Sequence, residues 1–286
     1  MNASNTDITL VIFTCSGREH LLRQTLPSFY NACNWRFNKL ILAIDGPVSQ
    51  DAINQVQPDL IVQSYTRKGY INSIISALKN IDSPYFFWLE DDWGFPVNFS
   101  LDNFVDQLEK PDVLEIILSK SDREDEDKYP GSDFYISRHG FSANPGLFKT
   151  EVVRSAFAEI LSLKDSDGTE HLSFENFITG YANDRHLYTL KYFADGKATV
   201  SHAGELESTA REYHMVNSLT KEFKAGGDNY LSGFGAERKI SQKNKLGMFF
   251  KLILASFSLC WRLWFSRESY DFAFRIYLAY LKKFKY

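Results

Sequence analysis

The chain is predicted to be an α/β protein, a mostly parallel sheet flanked by helices and followed by a helical tail, and three observations carry that expectation. Over the first 120 residues, short apolar runs alternate with segments of helical period. Those runs are apolar almost without interruption, as strands buried on both faces must be. One of them, Tyr85-Phe86-Phe87-Trp88-Leu89, delivers three consecutive acids, Glu90-Asp91-Asp92, to its end.

The strands are expected at Ile8 to Thr14, Leu40 to Ile44, Leu60 to Gln63, Tyr85 to Leu89 and Val113 to Leu118. Ile71, Ile74, Ile75 and Leu78 recur at i, i+3, i+4 and i+7, and Leu101, Phe104, Val105 and Leu108 repeat the spacing, so two amphipathic helices lie on the sheet. Ser119 to Asp133 is too charged to pack and reads as a mobile surface loop. Asn144-Pro145-Gly146 reads as a β-turn or as a close backbone approach at Gly146. A helix follows through Val152 to Leu161, then a short polar helix within Glu170 to Asp184, and a short strand from Ala198 to His202. Two regions are expected, 1–238 as the sheet domain and 239–286 as the tail.

Composition sets limits on function. An apolar content of 44% over 286 residues is ample for one large core. Three widely spaced cysteines, Cys15, Cys33 and Cys260, suggest neither a disulfide framework nor a zinc cluster, which fits a reducing cytoplasm. The polar N-terminus carries no signal-like apolar stretch. Net charge is −4, yet residues from Lys243 onward hold nine Lys or Arg against Glu268 and Asp271. The tail is therefore +7 and the remainder −11. Such a tail points to an anionic partner, and its Phe and Trp content favours lipid headgroups over nucleic acid. Its longest apolar stretch, Leu246 to Trp261, is interrupted by Lys251 and falls short of the roughly 20 residues a span needs.

The acidic triplet is the feature with chemical content. Three adjacent carboxylates repel and resist desolvation, whereas a hard divalent cation shared with a phosphate turns that repulsion into binding. In open α/β sheets the carboxyl ends of the strands are where ligands sit.

The chain resembles the GT-A glycosyltransferases, in particular inverting family 2 enzymes and relatives with a Glu-Asp-Asp metal motif, over roughly residues 8–205. Ile8 to Thr14 followed by Arg18 looks like the first strand and turn meeting the nucleotide. Leu40 to Ile44 ending in Asp45-Gly46 is similar to the second strand, whose acid meets base or ribose. Arg67-Lys68-Gly69-Tyr70 resembles the turn over the diphosphate. The resemblance implies Mn²⁺ or Mg²⁺ on Asp92, with Glu90 or Asp91 held for the ribose, the donor sugar or a metal-bound water. His202, in Val200-Ser201-His202-Ala203-Gly204, resembles a histidine that completes the metal shell. Glu175, in Ser173-Phe174-Glu175-Asn176-Phe177, resembles the acceptor-facing base, with Asp184 and Asp133 as alternatives because Asn176 departs from the common Glu-Asp form. Thr14, Arg18, Asp45, Lys68, Gly69, Glu90 and Asp91 are thus expected at the nucleotide sugar. The implied activity is inverting transfer from a nucleotide sugar, UDP-linked, to a glycan or lipid-linked acceptor, in the cytoplasm and at the inner membrane face through residues 243–286. The alternatives are a sugar-phosphate nucleotidyltransferase, which normally carries a Gly-rich basic loop after its first strand, and a non-catalytic binding scaffold.

Overall fold

The computed structural model describes residues 6–162 and 173–202. The chain divides into two compact units, Met1–Leu231 and Ser232–Tyr286, and every described residue lies in the first. The tail, its expected membrane contact and the boundary at 238/239 lie outside the described residues.

The elements run β1 (Ile8–Cys15), α1 (Glu19–Ala32), β2 (Lys39–Asp45), α2 (Gln50–Val56), β3 (Leu60–Ser64), α3 (Tyr70–Leu78), β4 (Tyr85–Glu90), β5 (Trp93–Gly94), α4 (Asp102–Leu108), β6 (Val113–Leu118), β7 (Tyr135–Ile136), β8 (Gly146–Lys149), α5 (Thr150–Ser162), α6 (Phe174–Asp184), β9 (Tyr188–Tyr192) and β10 (Ser201–His202). Eight strands form one sheet in the order β3-β2-β1-β4-β8-β6-β9-β7. Only β8 and β7 run antiparallel to their neighbours. A separate two-stranded ribbon joins β5 to β10. This is the expected Rossmann-like α/β architecture, with helices on both faces.

Alternation along each strand builds two cores. Ile8, Leu10 and Ile12 face Leu22, Leu26 and Phe29 of α1 together with residues of α2 and α4. Val11 and Phe13 face the other way, onto Ile71, Ile74 and Ile75 of α3 and residues of α5 and α6. Because both faces are covered, continuous apolarity in β1, β2, β4 and β6 is the required pattern. Caps define where the shorter helices start. Ser49 Oγ accepts from Ala52 N, and Ser173 Oγ accepts from Asn176 N at 3.2 Å.

Parallel pairing lines up the carboxyl ends. Phe13 lies opposite Glu90, Cys15 opposite Asp45 and Asp45 opposite Ser64. The acids at 45 and 90–92 therefore share one edge of the sheet.

Two expectations change. The segment 119–133, expected to be mobile, is pinned: Arg123 N donates to Gly196 O at 2.8 Å, Asp125 pairs with Arg138 at 2.6 Å, and Glu126 pairs with the largely buried Lys191 at 3.1 Å. Asp122 pairs with Lys197 and accepts from Ala198 N. Each exposed pair contributes little alone, but the set ties the loop to β9 and the turn after it. Asn144-Pro145-Gly146 leads into a strand that the sequence reading left out, β8, which wedges between β4 and β6. Gly146 is a close approach, since a Cβ there would lie 2.9 Å from Ile117 Cα and closer still to the Ile116 carbonyl oxygen.

Candidate functional site

At the end of β4 the three acids fan out in different directions, each held by a different element. Glu90 accepts from the Tyr70 hydroxyl of α3 and, at 3.3 Å, from Trp93 Nε1. The Tyr70 oxygen in turn accepts from Trp88 Nε1 at 3.1 Å. Burial, with the Asp92 charge adding to it, pushes the Glu90 carboxyl up to about 7.

Asp91 turns toward β1. Its Oδ2 accepts from Thr14 Oγ1 at 2.6 Å and its Oδ1 from Arg18 Nε at 2.9 Å. Its carbonyl accepts from Thr25 Oγ1 of α1 at 2.7 Å, and the same hydroxyl accepts from Trp93 N at 3.1 Å. Ser28 Oγ, one turn further along, accepts from Phe95 N at 2.7 Å. Helix α1 thus fixes the turn that presents the acids. Burial raises the Asp91 carboxyl to about 6 even though Arg18 opposes it.

Asp92 is 4% exposed. Its Oδ2 lies 2.5 Å from Arg18 NH2 and 3.0 Å from His202 Nε2, while its Oδ1 is buried with no hydrogen-bond partner. Burial works against ionisation here, but the His202 hydrogen bond and the Arg18 charge prevail and hold the carboxyl below its usual range. His202 is raised in turn, because Asp92 outweighs the burial that opposes its charge. The imidazole is placed by the ribbon: His202 pairs with Trp93 and its ring stacks on the Trp93 ring at 4.6 Å. Gly94 leaves room for that ribbon, since a Cβ would meet Ser201 Oγ at 2.6 Å.

A divalent ion is implied by the resemblance, and the donor set can be tested against it. Among the described residues no group of three or more His, Cys, Asp or Glu is gathered for a metal. Glu90 and Asp91 are committed to Tyr70, Trp93, Thr14 and Arg18. What remains is Asp92 Oδ1, buried and unsatisfied, with the His202 imidazole held on the other oxygen of the same carboxylate. That pair fits Mn²⁺ or Mg²⁺ of the kind bound by one or two protein groups and completed by phosphate and water.

Asp45 has a positioning geometry. Its Oδ1 accepts from Lys68 N at 2.6 Å and Ser64 Oγ at 3.2 Å, and its Oδ2 accepts from Gly69 N at 3.1 Å. It holds the turn into α3 closed, with Gly69 at φ +95°, where a side chain would be strained. Lys68 is left exposed beside it, and Arg67 reaches Cys15 Sγ and Asp45.

Glu175 begins α6 and accepts from Ala143 N at 2.9 Å, tying the helix to the loop that enters β8 beside Trp88. Its neighbour Phe174 stacks on Trp88 and meets Tyr70 edge-on, so the start of α6 stands on the Glu90 side of the sheet. The alternative bases lie away from that point. Asp184 ends α6, roughly 13 Å along the helix axis from Glu175. Asp133 is an exposed partner of Lys128, in the segment where Tyr129 bonds Asp112 at the amino end of β6.

The sequence reading missed Thr25, Ser28 and a buried carboxyl, Glu115. Thr25 left a signal, a lone polar residue on the Leu21, Leu22, Leu26, Phe29 face of α1. Glu115 Oε1 accepts from Thr189 Oγ1 at 2.7 Å and Ser142 N at 3.1 Å, and its Oε2 has no hydrogen-bond partner. Burial, helped by the Glu175 charge and opposed by these two bonds, raises the Glu115 carboxyl well above its ordinary 4.5. An unfolded chain releases this proton near pH 4.5 while the folded one keeps it, so the stability tied to the group is whole below that pH and drains as pH rises. Glu115→Gln removes the titration. The melting temperature of the variant minus that of the parent is expected to grow from pH 4 to pH 8, and a flat difference would refute a neutral buried acid.

No protein-family model matches the chain, and no curated protein does. Among solved structures the chain is similar to 4-diphosphocytidyl-2C-methyl-D-erythritol synthase from Anaerococcus prevotii DSM 20548, at 16% identity and a TM-score of 0.44, over 76% of this chain and 99% of that one. At that level the match carries no argument about chemistry. No described helix is long and apolar enough to cross a membrane.

Proposed function

We propose that the chain is a metal-dependent glycosyltransferase that moves a sugar with inversion from a nucleotide sugar, UDP-linked, to a glycan or lipid-linked acceptor. The observation that carries this reading is the unsatisfied buried oxygen of Asp92 beside the His202 imidazole, at the carboxyl edge of a parallel sheet. Asp92 and His202 would hold Mn²⁺ or Mg²⁺, which when bound supplies Lewis-acid stabilisation of the departing nucleoside diphosphate. Asp91, held by Thr14, anchors Arg18 at the same edge, from which its guanidinium would reach phosphate oxygens. Asp45 orients the turn that brings Lys68 and Gly69 toward the diphosphate. Glu90, screened by Tyr70 and Trp93, faces the ribose or the donor sugar.

Glu175 takes the acceptor proton as the new bond forms. Glu175→Gln retains the acceptor for the Ala143 amide but not the base, so transfer is expected to fall by at least roughly 10² with donor affinity little changed. Near-native transfer would remove Glu175 from the chemistry. Residues 243–286 bring the enzyme to an anionic membrane carrying its acceptor, with binding to anionic vesicles that salt weakens.

The second reading is a sugar-phosphate nucleotidyltransferase. The turn after β1 bears on it. Only Ser16, Gly17 and Arg18 separate β1 from α1, which leaves no Gly-rich basic loop to wrap a triphosphate. Incubation with nucleoside triphosphates and sugar phosphates tests this directly. Pyrophosphate release would establish the second reading. Mn²⁺-dependent release of UDP from a UDP-sugar, without pyrophosphate, is the expected result, and neither product from any donor would leave a binding scaffold.

A further inference from the structure

Arg18 reaches both aspartates at once from the start of α1. Its Nε donates to Asp91 Oδ1 at 2.9 Å, and its NH2, 2.9 Å from that same oxygen, also donates to Asp92 Oδ2 at 2.5 Å, with the guanidinium partly exposed. Asp91 is secured from the other side by Thr14, whereas Asp92 keeps one buried oxygen unsatisfied. The Asp91 contact is therefore the fixed end of the guanidinium and the Asp92 contact the exchangeable one. A divalent ion on Asp92 and a guanidinium on the same carboxylate are like charges a few ångströms apart in a poorly solvated site, so each weakens the other.

We propose that Arg18 and a divalent ion compete for Asp92, and that the ion, by displacing the NH2 end of Arg18 while Asp91 retains Nε, turns the guanidinium onto the phosphates of the nucleotide. The arrangement makes metal binding and diphosphate binding cooperative through a side chain of this protein. Metal alone must evict the arginine. Metal with nucleotide gives the arginine a replacement anion, and its planar fork suits phosphate oxygens as well as carboxylates. The inference rests on Asp92 being the metal ligand proposed above, and it predicts an ordering of affinities that this proposal alone does not.

The test is Mn²⁺ binding by full-length protein, read from the signal of free Mn²⁺ in electron paramagnetic resonance, first without nucleotide and then with UDP. The parent, Arg18→Gln, Arg18→Lys and Asp92→Asn are compared, each with its melting curve. If the closed form dominates in the parent, removing the competitor tightens nucleotide-free Mn²⁺ binding by at least about threefold, because the apparent constant is divided by the open fraction. Arg18→Lys, a point charge that cannot bridge two carboxylates, is expected in between and serves as the test if the glutamine variant does not melt cooperatively. At saturating Mn²⁺ the glutamine variant is expected to lose about tenfold in UDP affinity, the effect of one charge-assisted hydrogen bond. Nucleotide-free Mn²⁺ binding that is unchanged or weaker in the Arg18 variants overturns the competition, and unchanged UDP affinity overturns the hand-over to phosphate. If Asp92→Asn binds Mn²⁺ as the parent does, the metal assignment fails instead.

Discussion

Asp92→Ala is expected to abolish Mn²⁺-dependent turnover, by at least about 10³-fold, since several kcal/mol of charge stabilisation at the leaving group go with the metal and each 1.36 kcal/mol is tenfold. The fold should survive. Arg18 retains Asp91, and His202 retains its stack on Trp93 and its pairing in the ribbon. Asp92→Asn should behave nearly the same way, because a neutral amide is a poor ligand for a hard cation and leaves Arg18 with one anionic partner. Steady-state release of UDP, with circular dichroism to confirm folding, reads both effects. Unchanged Mn²⁺-dependent activity in either variant would reduce the acidic triplet to a turn.

Gly146→Ala is expected to have the largest effect on stability. The added Cβ meets backbone of β6, which cannot rotate away as a side chain would. The strand would have to shift where it pairs with Trp88 on one side and Ile117 on the other. A cost of about 3 kcal/mol is the upper part of the usual range for overpacking. For a domain of this size that lowers the melting temperature by on the order of 10 °C. Gly180→Ala in α6 is the control, because its Cβ meets nothing within 4 Å. That change is expected to stabilise by about 0.5–1 kcal/mol through helix propensity. Equal melting temperatures for the two variants would contradict the close approach of β8.

The parallel strands were legible because burial on both faces leaves a continuous apolar run in β1, β2, β4 and β6, and the edge strand β3 keeps an apolar run of its own. Val113–Leu118 was placed without error, and Ile8–Cys15, Lys39–Asp45, Leu60–Ser64 and Tyr85–Glu90 to within a residue at each end. The strands that escaped lack that signal. β9 reads Tyr-Thr-Leu-Lys-Tyr, with Lys191 reaching Glu126 of the pinned loop, and β8 is only four residues long after a turn sequence. Asp122 and Glu126 looked unpartnered for the same reason, since Lys197 and Lys191 lie 75 and 65 residues away. In the site, the acidic triplet stood out by composition, and His202 entered through resemblance alone. The division of labour among Glu90, Asp91 and Asp92 is set by Tyr70, Thr14, Thr25 and Arg18, whose positions relative to β4 follow from the pairing of β1 with β4 and the packing of α1 and α3.

The most direct test of the central claim is a thermal-shift titration of nucleoside diphosphate sugars against the parent and Asp92→Asn, with and without Mn²⁺. A ligand that binds only the native state raises the melting temperature, by the equivalent of about 2.7 kcal/mol at a hundred times its Kd. The expected result is a rise with UDP-sugars that requires Mn²⁺ and disappears in Asp92→Asn. A rise of equal size without Mn²⁺, or one retained in Asp92→Asn, would contradict a metal-dependent donor site at the end of β4.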